Sequence, residues 1–368
     1  MSHEVPFFNY SALFKEKETE LMALIHDVLS RGAYILQQDL VDFEANLSKF
    51  LDVKHAIGVA DGTNALKLSL WAAGINPGDH VIVPGHTYVA SAASIHYVGA
   101  HPIFVECGAD HMIDESVIEA AITPKTSAIM PVQLNGRTSN MEAICQIAEK
   151  HGLKIIEDSA QALGSKFKGQ SAGSFGSAGT FSFYPAKLLG CFGDGGAVIT
   201  NDDEVAKKVR LLRDHGRNEE GDVVDWGTNC RLDNLQAAVL DFKLKEFPQD
   251  IERRRQIAQM YQDGLSAIDQ LVLPPAPDQG DHFDVYQNYE IEAGRRDELQ
   301  QKLRDKGIGT IVQFGGKPVH KYPLGFKNTI LTKTEELYTR MLLLPMHTAL
   351  SDQDVNYVIE QIEGFYKS

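Results

Sequence analysis

Residues 180–196 have the sequence TFSFYPAKLLGCFGDGG. They place one lysine, Lys187, in a connection between two apolar segments, residues 180–183 and 196–200, each with the composition of a buried β-strand. The lysine has two interpretations. Its side chain can extend from the loop into solvent. Alternatively it is buried, which lowers the amine pKa and makes it a nucleophile toward carbonyl groups.

Apolar segments of strand length alternate with helical patterns from about residue 55 to residue 200. An amphipathic stretch at residues 141–150, followed by Gly152, is one example of the helices. Continuous apolar strands separated by helices predict an α/β fold with a mainly parallel seven-stranded sheet sandwiched by helices. Ligands of such folds bind beyond the carboxyl ends of the strands. The predicted strands are residues 56–60, 80–83, 102–105, 128–132, 154–157, 180–183 and 196–200.

The pattern changes after Gly227, where a long helical stretch begins. We predict an N-terminal helical segment over residues 1–50, packed on the large domain or on a partner subunit. A large α/β domain follows over residues 51–230, and then a long connecting helix with a small C-terminal α+β domain over residues 231–368. The elements predicted in this last part are helices at 233–268 (interrupted at Phe247-Pro248), 297–306 and 353–365, and strands at 285–291 and 310–314.

The composition limits the classes of function. The 368 residues include 35 Lys+Arg and 50 Asp+Glu, a formal net charge of −15. This charge argues against a nucleic acid or an anionic membrane as the main partner. No apolar run is long enough to predict a transmembrane helix, and the N-terminus has no signal-peptide pattern. Because the four cysteines are dispersed without a CxxC pair, we expect reduced thiols in a cytoplasmic protein.

A second informative segment, residues 155–164, has the sequence IIEDSAQALG. An apolar strand ends here in acidic residues, at the sheet edge where ligands are expected. The carboxylate of Asp158 could pair with a protonated ring nitrogen, as a pyridoxal electron sink requires. The alternative is a carboxylate that caps the following turn.

Two further strand–helix junctions could contribute to the same site. In residues 59–66, VADGTNAL, backbone N–H groups and a hydroxyl at a helix start could bind a phosphate, or the helix is simply an ordinary capped one. In residues 83–92, VPGHTYVASA, a planar ring could stack on Tyr88, although packing is the alternative role of that aromatic.

In combination, these four segments have the order of parts found in fold-type I pyridoxal-phosphate (PLP) enzymes. The chain resembles the DegT/DnrJ/StrS-type sugar aminotransferases over nearly its whole length, from residues 32–35 to the region of His347. The most specific matching motifs are GTNAL (62–66), EDSAQALGS (157–165), FSFYPAKLLGCFGDGGAVITND (181–202) and GTNCRLDNLQAA (227–238).

The resemblance implies a role for each matching residue. Lys187 would form the Schiff base with PLP and then move the proton during transamination, and Asp158 would pair with the pyridinium nitrogen. Tyr88 would stack on the ring and Gln161 would contact the ring region or its 3-hydroxyl. The residues implied for the phosphate are Gly62, Thr63, Ser182 and, from the neighbouring subunit of a homodimer, Asn229.

Three residues have weaker assignments. Arg231 is predicted either to bind an anionic substrate group or to form a structural salt bridge. His320 and His347 either line a sugar pocket or are structural histidines. None of the thirteen histidines has an HExxH or similar spacing, so we predict no metal site.

The resemblance implies an aminotransferase that moves an amino group from L-glutamate to a nucleotide-linked (dTDP- or UDP-) hexose, passing through the pyridoxamine form of the cofactor. The run LLGCFGDGGA after Lys187 is more similar to members acting on 3-keto sugars, whereas members acting on 4-keto sugars have a TTGEGG-type run there. A 4-keto sugar or a keto-inositol is the alternative acceptor. The alternative of another class is a non-catalytic, PLP-binding sensory or regulatory protein.

Overall fold

The computed structural model describes residues 3–278, 280–326 and 328–367. The strands are β1 His55–Val59, β2 His80–Pro84, β3 His101–Val105, β4 Thr126–Ile129, β5 Lys154–Asp158, β6 Lys166–Phe167, β7 Gln170–Ser171, β8 Ala178–Ser182, β9 Gly196–Thr200, β10 Leu271–Val272, β11 His282–Phe283, β12 Tyr289–Ala293 and β13 Met341–Leu344.

The α-helices are α1 Tyr10–Glu16, α2 Glu18–Ser30, α3 Gln38–Leu51, α4 Gly62–Ala72, α5 Val89–Tyr97, α6 Ile118–Ala121, α7 Met141–His151, α8 Asp203–Arg213, α9 Asn234–Leu244, α10 Phe247–Leu265, α11 Arg296–Asp305, α12 Thr332–Arg340 and α13 Asp352–Tyr366. Short 3₁₀ turns lie at Glu115–Val117, Gln313–Gly316 and Val319–Lys321.

A seven-stranded sheet forms the larger core, with strand order β1-β9-β8-β5-β4-β2-β3. The pairs β2–β3, β2–β4, β4–β5 and β5–β8 are parallel, whereas β9 runs antiparallel to both of its neighbours. The two faces of the sheet are both covered, because Ile156 packs with Leu66 of α4 on one face and its neighbour Ile155 packs with Ile144 of α7 on the other. The predicted fold class is confirmed.

A second, smaller core lies around the antiparallel sheet β10-β12-β13. Helices α10, α11 and α13 cover it with buried residues such as Tyr261, Leu299 and Val358. The long helical stretch predicted after Gly227 is two helices, and Pro248 lies in the first turn of the second one, where its missing N–H has no cost.

Two predicted strands differ from the structure. Residues 310–314 form no strand, because Phe314 (φ 51°) and Gly315 (φ 69°) turn into the left-handed region. Only an isolated bridge joins Ile311 to Leu343 there. The strand predicted at 285–291 begins at Tyr289, since Tyr286 also has a positive φ of 49° that interrupts an extended backbone.

The N-terminal helices pack on the larger core. In α3 the buried residues Leu40, Phe43, Leu47 and Leu51 share one face at helical spacing. Asn234, at the start of α9, holds this segment, because its side chain donates to Ala33 O (2.8 Å) and accepts from Leu40 N (2.9 Å). No helix within the described part of the chain is long and apolar enough to cross a membrane.

Candidate active site

Asp158 ends β5 at the carboxyl edge of the larger sheet and is 5% exposed. Ser91 Oγ donates to its Oδ2 at 2.7 Å, and Ala160 N donates to its Oδ1 at 3.2 Å. Burial raises the pKa of Asp158, against these hydrogen bonds and the attraction of Lys187. A buried carboxylate whose charge is this poorly compensated is suited to a cationic ligand group.

Ser91 was not among the predicted residues, yet it fixes the carboxylate. It lies in the first turn of α5, and its hydroxyl also contacts Thr87 Oγ1 at 2.6 Å. Thr87 precedes the N-cap Tyr88 and Ser91 lies in the first turn, so the start of α5 brings the two hydroxyls together. Which strand this helix start meets depends on the order of strands in the sheet.

Glu157, the residue before Asp158, points to the opposite side and is fully buried. Its carboxylate accepts from Gln133 Nε2 (2.8 Å) and from the backbone N–H groups of Gly173 (2.8 Å) and Phe175 (2.7 Å). Burial raises its pKa, against these donors. The donors tie the end of β5 to the segment that precedes β8.

Lys187 lies in the connection between β8 and β9, where its backbone N–H donates to Tyr184 O at 2.8 Å. The residue as a whole is partly exposed. Its amine is desolvated nevertheless, and burial lowers the pKa to about 8 against the attraction of Asp158. The lowered pKa agrees with the interpretation in which the amine is a nucleophile toward carbonyl groups. Gln287 Nε2, from the smaller core, donates to Ala186 O at 2.7 Å, directly before the lysine.

A narrow space lies between the start of α4 and the end of β8. A β-carbon at Gly62 would lie 2.8 Å from Ser182 Cβ, so a larger residue would fill this space. Thr63 follows in the first helical turn, whose N–H groups have no partner within the helix. Asp61 caps the helix by accepting from Asn64 N at 2.8 Å. The site therefore places helix N–H groups beside the Ser182 hydroxyl, an arrangement that binds phosphate.

Two further predicted cofactor residues are Tyr88 and Gln161. Tyr88 is the N-cap of α5; the residue is 58% exposed, and its ring centroid is 5.9 Å from that of Phe314. Gln161 is fixed by Asn135 N (2.9 Å) and by Asn288 Nδ2 (3.3 Å), both of which donate to its Oε1. Asn135 and Asn288 were not predicted, because they come from distant parts of the chain and carry no local pattern.

The remaining predicted residues are Asn229, Arg231, His320 and His347, of which His347 shares a cavity with Lys187. Asn229 is exposed, and Arg231 Nη1 donates to Asp214 Oδ1 at 2.5 Å, which is the salt bridge considered as its alternative role. His320 is fully buried, with Nε2 3.3 Å from Glu335 Oε1. His347 lies with Lys187 on a cavity of about 230 Å³, closed on one side by the N-terminal segment that includes Phe7.

These residues fit PLP. The phosphate would bind the α4 N-terminus and the Ser182 hydroxyl, the ring nitrogen would face Asp158, and the aldehyde carbon would bond to Lys187. Two structural observations support this fit. The space that Gly62 leaves open at the start of α4 matches the anionic phosphate. The poorly compensated carboxylate of Asp158 matches the cationic ring nitrogen.

Comparisons with known proteins agree with this geometry. A model of the DegT/DnrJ/EryC1/StrS aminotransferase family matches residues 15–363. The chain belongs to this family. It is a PLP-dependent aminotransferase. One similar solved structure is that of NtdA from Bacillus subtilis with bound pyridoxamine phosphate. Its sequence is 30% identical, the match covers 99% of this chain and 86% of that one, and the TM-score is 0.92.

Three curated relatives have informative names. A dTDP-3-amino-3,4,6-trideoxy-alpha-D-glucose transaminase of Streptomyces venezuelae is 40% identical over 97% of this chain and 95% of the relative. A UDP-2-acetamido-2-deoxy-3-oxo-D-glucuronate aminotransferase of Pseudomonas aeruginosa is 36% identical over 95% and 96%. A "Pleiotropic regulatory protein" of Geobacillus stearothermophilus is 40% identical over 99% of both chains.

Among solved structures, Streptomyces venezuelae DesV in complex with a ketimine intermediate has a TM-score of 0.95 to this chain. Its sequence is 38% identical, and the match covers 99% of both chains.

The lowered pKa of Lys187 predicts how capture of PLP depends on pH. Only the neutral amine attacks the aldehyde, so the rate for the apoprotein should rise about tenfold per pH unit at low pH and level off above about 8. Stopped-flow absorbance measures the rate, and borohydride reduction with peptide mass spectrometry locates the bond. Lys187→Ala, the control, should form no covalent adduct. An inflection near 10.5, the ordinary value for lysine, would contradict an enclosed amine.

The hydrogen bond from Ser91 to Asp158 predicts the effect of Ser91→Ala. A hydrogen bond to a charged group contributes about 1.5 kcal/mol, so the rate of the half-reaction should fall roughly tenfold. Single-turnover absorbance kinetics measure this rate. Ser69→Ala is a matched control, because Ser69 is a buried helical serine whose Oγ has no hydrogen-bond partner among the described residues. Equal rates in the two variants would remove Ser91 from the site.

Proposed function

We propose that this chain transfers an amino group from L-glutamate to the keto group of a hexose carried on dTDP or UDP, with a 3-keto sugar preferred over a 4-keto sugar. The observation that carries the proposal is the enclosed Lys187 amine beside the buried Asp158, at the carboxyl edge of the sheet. The names of the Streptomyces and Pseudomonas relatives support the sugar class.

Each residue of the site would have a separate role in transamination. PLP, when bound, supplies an electron sink for the substrate carbon. Asp158 would pair with the ring nitrogen, and Ser91 keeps Asp158 oriented by its hydrogen bond. Lys187 would hold the cofactor, and its amine could move a proton at the substrate carbon, because an amine with a pKa of about 8 exchanges protons readily near neutral pH. Tyr88 would lie against the ring and Gln161 near its 3-hydroxyl.

Two observations support a 3-keto acceptor. The run LLGCFGDGGA at residues 188–197 is more similar to family members that act on 3-keto sugars. Moreover, both relatives with a named sugar substrate or product carry the nitrogen or the keto group at position 3. A 4-keto sugar or a keto-inositol is the alternative acceptor.

We further propose that two copies of the chain assemble and share the site. The loop that precedes Asn229 exposes three large apolar side chains, Val223, Val224 and Trp226, the last of which is 94% exposed. Exposed apolar side chains concentrated in one loop favour burial against another protein surface. In the dimer, Asn229 would bind the phosphate of the neighbouring site.

A regulatory protein that binds PLP without turnover is the candidate of another class, favoured by the name of the Geobacillus relative. The lowered pKa of the Lys187 amine is compatible with both functions, because capture of PLP and proton transfer each require a neutral amine. The names of the Streptomyces and Pseudomonas relatives favour the aminotransferase.

Absorbance spectra of the PLP form test the function. L-glutamate should convert the visible cofactor band to the pyridoxamine band. In the reverse direction, a dTDP-3-amino-3,6-dideoxyhexose should give the same conversion at least tenfold faster than the matched 4-amino-4,6-dideoxy compound. Faster conversion by the 4-amino compound would contradict the 3-keto preference. A band that responds to neither glutamate nor any amino sugar would favour the regulatory alternative.

Asn229→Ala tests the shared site. Loss of one phosphate contact across the interface should weaken PLP affinity by about tenfold, given a net value near 1.5 kcal/mol for a hydrogen bond to a charged group. Fluorescence titration of the apoprotein measures the affinity, and sedimentation measures assembly. Asn356→Ala is a matched control, because Asn356 is exposed on α13. Unchanged PLP affinity in the Asn229 variant, or a monomeric holoenzyme, would refute the shared site.

A further inference from the structure

We propose that His86, His111 and Glu290 form a binding site for a divalent transition-metal ion of the zinc type, between the larger and the smaller core. His86 follows β2, His111 follows β3, and Glu290 lies on β12 of the smaller sheet. Two imidazoles and one carboxylate are a set that zinc binds in proteins. None of the three residues is among those assigned to the cofactor, and the proposal does not depend on the sugar substrate.

The three side chains converge closely. One ligand atom from each lies within 4.8 Å of the others. His86 Nε2 is 3.4 Å from Glu290 Oε1, close to the separation of about 3.3 Å between neighbouring ligands of a tetrahedral ion with bonds of about 2.0–2.1 Å. His111 Nδ1 lies 2.6 Å from the same oxygen, so this pair has to open by less than about 1 Å to admit the ion.

The remaining ring nitrogens already have partners of the kind that metal-bound histidines use. His86 Nδ1 is 3.1 Å from Tyr338 Oη, and His111 Nε2 is 3.4 Å from Glu292 Oε1. Such contacts fix the orientation of each ring and leave the nitrogen that faces the ion free to bind it. Both rings therefore direct their other nitrogen toward Glu290.

Burial makes unused polar atoms at this position costly. His86 is 1% exposed and Glu290 is 2% exposed. Within residues 3–278, 280–326 and 328–367, Glu290 Oε2 has no hydrogen-bond partner, and the contact of His86 Nε2 with Glu290 Oε1 at 3.4 Å does not have the geometry of a hydrogen bond. Buried atoms of this kind are normally paired, and a cation would satisfy both.

An ion could reach the site from solvent. His111 and Glu290 line a cavity of about 320 Å³, together with Asp110 and Asn135. The side chain of His111 is 12% exposed, which places it at the mouth of the site, with His86 behind it. The cavity leaves room for water as the fourth ligand.

The alternative occupant of the site is a proton. Hydrogen bonds to Glu290 and Glu292 raise the pKa of His111 to about 10, although burial acts against its charge. Zinc has to displace this proton, as it does whenever it binds a protonated ligand. A network held by a proton alone and a metal site differ in one measurable property, which is stoichiometric binding of the ion.

Binding of zinc and cobalt to the holoenzyme tests the proposal. After dialysis against a chelator, competition with a chromophoric chelator should give one Zn²⁺ per chain with a Kd of about 1 μM or lower at pH 8. Co²⁺ should give visible d–d bands typical of tetrahedral coordination. His111→Gln and Glu290→Gln should each weaken binding at least a hundredfold.

His96→Gln is the matched control, because His96 is an exposed histidine on α5. It should keep the affinity of the unmodified chain. Retention of the PLP absorbance band shows that each variant is folded. If Glu290→Gln is unstable, the test rests on His111→Gln, because His111 is at the mouth of the site and is less buried than Glu290. A holoenzyme without stoichiometric binding, or an affinity unchanged in His111→Gln, would overturn the proposal in favour of a proton-held network.

Discussion

Loss of hydration at one amine and one carboxylate determines the character of this site, and their mutual attraction opposes it only in part. Lys187 and Asp158 both lose water on folding, which shifts the pKa of each toward its neutral form. The chain tolerates this because the parallel sheet fixes the carboxylate at the end of β5, and a loop between β8 and β9 brings the lysine to it. PLP has a ring nitrogen that can be cationic and an aldehyde that reacts with amines. To bind it, the charges of Asp158 and Lys187 have to be only partly compensated before the ligand is present.

The support for that carboxylate comes from the other side of the same strand. Glu157 is oriented away from the cleft, and its four donors, three of them backbone N–H groups, hold the segment that leads into β8. Successive residues of one strand therefore have different roles. Glu157 holds the segment before β8 on one side of the sheet, and the carboxylate of Asp158 faces the cofactor site on the other side.

Much of this could be predicted from the sequence. Apolar runs of strand length identified all seven strands of the larger sheet, and Lys187, Asp158 and Gly62 stood in distinct strand–loop–helix patterns. The strand predicted at 310–314 was wrong because the backbone turns into the left-handed region at Phe314 and Gly315. The pair Gly315-Gly316 is a turn signal, but the positive φ of Phe314 depends on packing, which its residue type does not indicate. For the same reason Ser91, which meets Asp158 across a sheet edge 67 residues away, was missed.

The contact between Gln287 and the carbonyl of Ala186 joins the smaller core to the residue directly before the lysine. The hydrogen bond therefore fixes the backbone from which the Lys187 side chain extends, and its donor lies 101 residues beyond Ala186 in the chain. Placement of the nucleophile thus depends on folding of the smaller core as well as the larger one, so a substitution that displaces Gln287 would reach the reactive amine without touching the cofactor.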